Sequence, residues 1–242
     1  MKLKVRDLSV ARDSDIVIKN LSFEFEGPGL LQVIGPNGAG KTTLFETIIG
    51  FLKPVSGEVI VEGVPRGKAF AYMPQNIEFP KDTSLTVREF VEVKSKIYRG
   101  RVRQVDGNGV EEALEFAGLE RELWNRRISE LSRGQLQRAL LARTIVSGAP
   151  ILLLDEPLSN IDPKGRIDLS RVIAELSETR VVLVSSHDPY LLLPSTDKIL
   201  LMNRGEYKYG SPSEVLSPEY LQRIYSGCLI VLKEMYHIAD WH

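Results

Sequence analysis

The spacing of hydrophobic residues changes repeatedly along the chain and predicts alternating strands and helices. Residues 3–10 and 16–25 alternate apolar and polar positions, as half-buried strands do. Continuous apolar runs typical of strands buried on both faces of a parallel sheet occur at residues 30–34, 151–154 and 181–184. Helical spacing occurs at residues 43–49, 135–147 and 167–176. This alternation predicts an α/β fold with a doubly wound parallel sheet.

The middle of the chain departs from this alternation. One helical run begins near Thr86 and another near Val110. The basic, glycine-containing stretch between them, residues 98–108, is predicted as an exposed loop. We therefore expect a mostly helical insertion at about residues 85–147.

Composition limits the classes of function. The 242 residues are 43% hydrophobic and 26% charged, which is ordinary for a globular domain, and a net charge of −1 gives no basic field for nucleic acid. The single cysteine, Cys228, excludes an internal disulfide framework and fits a reducing compartment. The sequence has no signal-peptide pattern and no apolar stretch near the ~18 residues that span a bilayer. We therefore expect a soluble, cytosolic protein.

The strongest chemical signal is a glycine-rich loop between a predicted strand and a predicted helix. It fits the phosphate-loop pattern G-x-x-x-x-G-K-[ST], and its candidate nucleotide contacts are Gly35, Pro36, Asn37, Gly38, Ala39, Gly40, Lys41, Thr42 and Thr43. Glycines let backbone N–H groups turn toward a phosphate, while the helix N-terminus and Lys41 add positive charge. The Thr42 hydroxyl is a candidate Mg²⁺ ligand. An ordinary glycine-rich turn would not require the Gly-Lys-Thr ending.

Two carboxylates follow the buried strand at residues 151–154. Parallel strands deliver their C-terminal residues to the crevice where ligands bind. We predict that Asp155 holds Mg²⁺ through water, and that Glu156, on the other side of the strand, polarises an attacking water. Taken alone, two acids that cap a helix would be an equally good interpretation. The nearby phosphate loop favours the catalytic one.

Three further segments carry candidate site residues. Ser132 is a good N-cap for the helix that contains Gly134 and Gln135, and such a helix N-terminus also binds anions. Gln75 lies where the predicted sheet gives way to the helical insertion. His187 follows a core strand, so its side chain is expected to face the phosphates, although a lone histidine is more often structural.

In their order along the chain, these segments resemble the nucleotide-binding subunit of ATP-binding cassette (ABC) transporters over about residues 1–225. The resemblance identifies Gln75 as the Q-loop glutamine, residues 131–135 as the signature, Asp162 as part of the D-loop and His187 as the switch histidine. It implies a P-loop NTPase-type parallel sheet core with an antiparallel β subdomain and a helical signature subdomain.

The resemblance also implies hydrolysis of ATP, with ATP and Mg²⁺ as cofactors. Thr42 and Asp155 would hold Mg²⁺ with Gln75 nearby. Glu156 would orient the attacking water, and His187 would contact the γ-phosphate. Since phosphoryl transfer depends mainly on positioning and charge stabilisation, no nucleophilic side chain is required.

The expected partners also follow from the resemblance. ATP would lie between two copies arranged head to tail, with Ser132, Gly134 and Gln135 of one copy facing the phosphate loop of the other. A second copy, integral membrane permease subunits and an extracytoplasmic binding protein are therefore expected, and no nucleic acid. The chain would be cytoplasmic and peripheral at the inner face of the membrane, docked through residues 85–131.

Two positions depart from the family pattern. Arg133 replaces the first glycine of the usual signature Leu-Ser-Gly-Gly-Gln, but Ser132 and Gly134 are kept, so function is expected to survive. Arg12 lies where the family commonly has an aromatic residue that stacks on adenine. Because a guanidinium can stack on a purine face, Arg12 is a candidate substitute, and a solvated turn arginine is an equally good interpretation.

A single cassette on its own chain favours the ATPase of a membrane transporter, and among transporters an importer. DNA-repair types carry long coiled coils between the phosphate loop and the signature, and residues 43–131 are too few and lack sustained heptads. An ATPase of cofactor-cluster assembly is an alternative. Residues 72–87 and 217–227 resemble the metal-ion and metal-chelate importer branch, which favours zinc or manganese over an iron chelate or cobalamin. The transported substance is not expected to touch this chain.

A tail of unassigned role over residues 226–242 lies past the resemblance, and it contains residues of metal-binding type, namely Cys228, His237, Asp240 and His242. Their spacing fits no structural zinc pattern, so an ordinary surface tail is favoured.

Overall fold

The computed structural model describes residues 1–13, 15–99, 107–217, 229–232 and 235–238. The strands in these ranges are β1 (Lys2–Arg12), β2 (Asp15–Glu26), β3 (Gly29–Ile34), β4 (Ser56–Glu62), β5 (Phe70–Met73), β6 (Ile151–Asp155), β7 (Val181–Ser186), β8 (Lys198–Asn203), β9 (Glu206–Gly210), β10 (Leu229–Leu232) and β11 (Met235–Ile238). The α-helices are α1 (Lys41–Ile49), α2 (Val87–Arg99), α3 (Gly107–Phe116), α4 (Arg133–Ile145), α5 (Pro163–Ser177) and α6 (Pro212–Val215). Most of the predicted loop at residues 98–108 lies outside the described residues.

The central sheet has six strands in the order β5-β6-β7-β3-β8-β9. Its first five strands are parallel, and β9 pairs antiparallel with β8. A separate antiparallel sheet has the order β2-β1-β4, and β10 pairs with β11. The predicted α/β class, with a parallel core and an antiparallel sheet, is confirmed. Sequence analysis did not predict β8 and β9.

The sheet is buried on both faces, as the continuous apolar runs predict. In β6, Leu152 and Leu154 belong to a core shared with α2, α3 and α4. The intervening Leu153 belongs to a second core, shared with α1 and the antiparallel sheet. Side chains of a strand alternate between faces, so a strand covered on both sides must be apolar throughout.

Capping residues set the ends of the two helices that frame the site. Helix α1 begins after Gly40 and ends at Gly50, whose left-handed backbone (φ 88°) accounts for the predicted stop. Helix α4 begins at Arg133, two residues earlier than predicted, because Ser132 caps it, and it ends at Ile145 rather than at residue 147. Within the described ranges, no helix is both long enough and apolar enough to cross a membrane.

Candidate nucleotide site

A cavity of about 300 Å³ opens beside the N-terminus of α1. It is lined by four segments that sequence analysis singled out, namely Arg12, residues 37–43, Gln75 and Glu156. Val17, from β2, completes the wall and was not predicted. The fold therefore brings most of the predicted nucleotide contacts to one place.

The phosphate loop takes a path that only glycine allows at two positions. At Gly35, a Cβ atom would lie 2.2 Å from the carbonyl oxygen of Met202 in β8. Gly40 has a φ of 98°, and its Cβ would lie 2.9 Å from Cγ1 of Val17. The tight loop leads directly into α1, whose first N–H groups have no partner within the helix and are available to an anion.

Lys41 occupies the wall between the loop and Glu156. Its Nζ donates to the carbonyl oxygens of Gly35 at 2.8 Å and Pro36 at 3.3 Å, and lies 3.4 Å from Oε1 of Glu156. Lys41 and Glu156 are 6% and 8% exposed. A buried charge requires such partners, and the pair places a cation where phosphate oxygens can reach it.

Asp155 carries the best satisfied carboxylate of the site and is 1% exposed. Its Oδ2 accepts hydrogen bonds from the Thr42 hydroxyl at 2.7 Å and from the Tyr72 hydroxyl at 3.2 Å. Its Oδ1 accepts a hydrogen bond from the Ser185 hydroxyl. A carboxylate beside a hydroxyl is the hard oxygen donor set that Mg²⁺ prefers, so these residues fit the metal.

Tyr72 and Ser185 are functional-site contacts that the motifs do not reveal. Burial, together with the negative charge of Asp155, raises the pKa of Tyr72 well above its ordinary value, so the phenol stays protonated and can donate. Its ring meets Phe51 edge-on, with centroids 6.4 Å apart. Ser185 lies opposite Asp155 in the pairing of β6 with β7. Knowledge of the strand register would have identified it.

Glu156 lies in a turn rather than in the strand, which ends at Asp155. Its φ is 47°, a left-handed conformation uncommon for this residue type, and its N–H donates to Oγ of Ser185 at 2.9 Å. The turn directs the carboxylate into the cavity, where Oε2 accepts from Nε2 of Gln75 at 2.7 Å. The side chains of Asp155 and Glu156 therefore point in different directions, as predicted, because of this turn and not because side chains alternate along a strand. Such strained residues cluster at functional sites.

His187 is not part of the cavity lining. It lies in an adjoining small recess whose lining includes Glu156, Ser185 and Arg166. Arg166 donates to Asp188 at 3.2 Å, which ties the segment after β7 to α5. The predicted histidine therefore shares a recess with Glu156, and it does not line the cavity that holds the phosphate loop.

The signature residues and Asp162 also lie outside this cavity within a single chain. Ser132 and Gln135 form a reciprocal capping box, with N–H to side-chain distances of 3.3 Å and 2.9 Å. Gly134 is in the first turn of the same helix. Asp162 caps α5 by accepting from the N–H of Gly165 at 3.2 Å. Within one copy, Ser132, Gln135 and Asp162 therefore act as helix-capping residues.

Arg12 ends β1 at the rim of the cavity. Its guanidinium donates through Nη1 to Oε2 of Glu46, on α1, at 3.3 Å. The arginine side chain is 50% exposed. The ion pair therefore holds a planar cation at the edge of the nucleotide cavity.

Of the tail residues of metal-binding type, the structure describes only His237. Cys228, Asp240 and His242 lie outside the described residues, and His237 is in β11. Among the residues that the structure does describe, no group of three or more histidine, cysteine and acidic side chains is placed to hold a metal ion.

Comparisons with known proteins agree with this geometry. The sequence profile of the family described as "ABC transporter" matches residues 18–159. The zinc import ATP-binding protein of Wolbachia pipientis wMel is 32% identical over 93% of this chain and 89% of its own length. The hemin import ATP-binding protein of Bordetella avium strain 197N is 36% identical over 93% and 92%. A metal-chelate type ABC transporter in an inward-facing conformation has a TM-score of 0.82 at 25% identity, over 97% of this chain and 94% of that one.

Proposed function

The chain belongs to the ABC transporter family, and from this premise we propose that it is the ATP-hydrolysing subunit of an importer for metal ions. The observation that carries the proposal is the convergence of the phosphate loop, Gln75 and Glu156 on one cavity. We take residues 1–225 as the ATPase domain, with the helical insertion at about 85–147 and a tail at 226–242.

Binding of the nucleotide follows from the charges at the cavity wall. The loop N–H groups and Lys41 bind the β- and γ-phosphates of ATP, and Arg12 lies against the base. Thr42 and Asp155 hold Mg²⁺, which neutralises phosphate charge when bound. The Thr42 hydroxyl donates a hydrogen bond to Asp155. The lone pairs of its oxygen therefore remain free for a cation.

Hydrolysis needs a water molecule held in line with the γ-phosphate. Glu156 accepts a hydrogen bond from that water, and Gln75 fixes the orientation of the carboxylate through the 2.7 Å bond to Oε2. His187, which lines a recess together with Glu156, is the proposed contact for the γ-phosphate. Phosphoryl transfer of this kind depends on positioning and charge, which these residues supply.

A second copy completes the site. Ser132, Gly134 and Gln135 open a helix whose N-terminus can bind phosphate, but these residues lie away from the cavity of their own chain. In a head-to-tail dimer they face the phosphate loop of the partner, and Asp162 lies near the same interface. Binding of ATP closes the dimer and hydrolysis releases it, as for any ligand with different affinity for two states.

The helical insertion is the proposed docking surface for the permease subunits. A groove of about 560 Å³ lies between the Gln75–Phe79 segment and α4. Gln75 lines both this groove and the nucleotide cavity, so movement in one can reach the other. This arrangement supports a chain that is peripheral at the cytoplasmic face of the membrane, held there by its permease.

Similarity to a zinc import subunit supports metal-ion import, of zinc or manganese. A second candidate is import of a metal chelate, because the hemin import relative is the more identical of the two, at 36%. No residue at the nucleotide site distinguishes these cargoes, which are substrates of the whole transporter.

The test uses the complete transporter, isolated from its native membrane through a tag on this chain. Reconstituted in liposomes with any binding protein that co-purifies, it should take up zinc or manganese only with Mg-ATP. A matched complex that carries Glu156→Gln should bind ATP and transport nothing. Uptake of hemin but not of free metal ions would favour the second candidate. Near-normal hydrolysis by Glu156→Gln would contradict the site assignment.

A further inference from the structure

We propose that Tyr72 is a positioning residue for Asp155, and through it for Mg²⁺. The Tyr72 hydroxyl donates to Oδ2 of Asp155 at 3.2 Å, the same oxygen that accepts from Thr42. The inference rests on the proposed function, in which Thr42 and Asp155 hold the metal ion. It adds a residue that would not touch the metal but would decide where its ligand points.

The strand register places Tyr72 on the required face. Tyr72 of β5 pairs with Leu153 of β6, and Asp155 is two residues further along the same strand. Residues two apart share a face of a sheet, so the tyrosine and the aspartate project to the same side. Ser185 faces Asp155 from β7. The two strands that flank β6 therefore each direct a hydroxyl at one carboxylate.

The three donors fix the carboxylate differently. An ionised carboxylate has about four acceptor sites, of which Thr42, Tyr72 and Ser185 occupy three. Thr42 is itself a proposed metal ligand, so its hydrogen bond does not anchor the Asp155 carboxylate independently of the metal. Tyr72 and Ser185 tie the two oxygens of Asp155 to the sheet. The remaining acceptor site is left for water bound to the cation.

The ring of Tyr72 is held independently of its hydroxyl. It is half-buried, packs against the core that contains Leu153, and lies edge-on to the exposed Phe51, with the two ring planes at 89°. Replacing Tyr72 by phenylalanine thus removes a hydrogen bond and little packing. If the role of Tyr72 were purely structural, the Tyr72→Phe protein would be less stable, but ATP binding would require the same Mg²⁺ concentration.

The experiment compares Tyr72→Phe with the unmodified chain in binding of ATP at increasing Mg²⁺, followed by thermal shift and by isothermal titration. Half-maximal Mg²⁺ should rise about three- to tenfold, which is the range expected for the loss of one ordinary hydrogen bond. Affinity for ATP in EDTA should not change. Tyr209→Phe is the matched control, because that hydroxyl donates to the carbonyl of Glu24 away from the cavity. It should leave the Mg²⁺ requirement as it was.

Two results would overturn the proposal: an unchanged Mg²⁺ requirement in Tyr72→Phe, or an equal loss of ATP affinity with and without the metal. Urea unfolding without Mg²⁺ separates any loss of stability from the binding effect. Failure of the unmodified chain to bind ATP at all would instead contradict the proposed function. Lys41→Ala, which should not bind ATP, defines that baseline.

Discussion

At the scale of single residues, the Ser185 hydroxyl links the two acids of the site. It donates to Asp155 and accepts the N–H of Glu156, and Ser185 is fully buried. We expect Ser185→Ala to lower the free energy of unfolding by about 1–3 kcal/mol, because a buried N–H and a buried carboxylate each lose a partner. Urea denaturation measures this change.

The control for Ser185 is another buried serine. The Ser177 hydroxyl donates only to the carbonyl of Ala174 in its own helix. That carbonyl is an additional acceptor within a helical turn, so Ser177→Ala should cost less than about 1 kcal/mol. Equal losses in the two variants would contradict the role given to Ser185.

Gly40 provides a second prediction at this scale. Its φ of 98° and the 2.9 Å approach of a Cβ to Val17 predict that Gly40→Ala destabilises the chain by about 1–3 kcal/mol and weakens ATP binding. Gly67 has no atom within 4 Å of the Cβ position, and Gly67→Ala should be neutral or slightly stabilising. Thermal unfolding with and without ATP compares them. Identical behaviour would show that the loop tolerates the side chain.

Sequence motifs predict the residues that act through local spacing. The phosphate loop and the acids after β6 are of this kind, since short patterns dictate both the backbone path and the chemistry. Tyr72 and Ser185 are different, because they reach Asp155 only through the register of neighbouring strands. The Arg12–Glu46 pair joins residues 34 positions apart and depends on how α1 packs against β1. Such contacts follow from tertiary structure, which no local pattern contains.

At the scale of elements, patterning predicts most of the buried strands, but it did not predict the buried strand β8 or the edge strand β9. Strand β9 covers only Glu206–Gly210, a short polar and aromatic segment without a continuous apolar run. It is held by pairing with β8 and by its tyrosines, whose hydroxyls donate to carbonyls of β2. Its existence therefore depends on neighbours distant in sequence, as is usual for edge strands.

Helix α4 gives a prediction that separates two roles of one residue. Ser132 caps the helix, so Ser132→Ala should cost about 1 kcal/mol of stability. If Ser132 also completes the partner's site, turnover should fall much more than this loss of stability explains. Ser211, which forms a similar capping box with Glu214 on α6, is the control. Ser211→Ala should lower the melting temperature slightly and leave ATP hydrolysis unchanged. If Ser132→Ala hydrolysed ATP as fast as Ser211→Ala, Ser132 would have a capping role alone.

At the scale of the whole molecule, the proposed site is divided between two parts of the chain that do not meet within one copy. The cavity holds Lys41 and Glu156, whereas Ser132 lies at the start of α4 and is not part of its lining. A head-to-tail dimer with twofold symmetry contains two equivalent composite sites. Each site would take its phosphate loop from one copy and its signature from the other.

This division predicts complementation between two inactive variants. Lys41→Ala removes the phosphate-binding cation, and Ser132→Arg blocks the signature helix, so each alone should hydrolyse little ATP. In a mixed dimer, the unmodified Lys41 of one copy faces the unmodified Ser132 of the other, and one of the two sites is intact. Because an equal mixture gives mixed dimers in about half of the population, turnover should recover to roughly a quarter of normal if the sites act independently. Activity measured across mixing ratios should peak at equal amounts, whereas a site contained in one chain would give no recovery at any ratio.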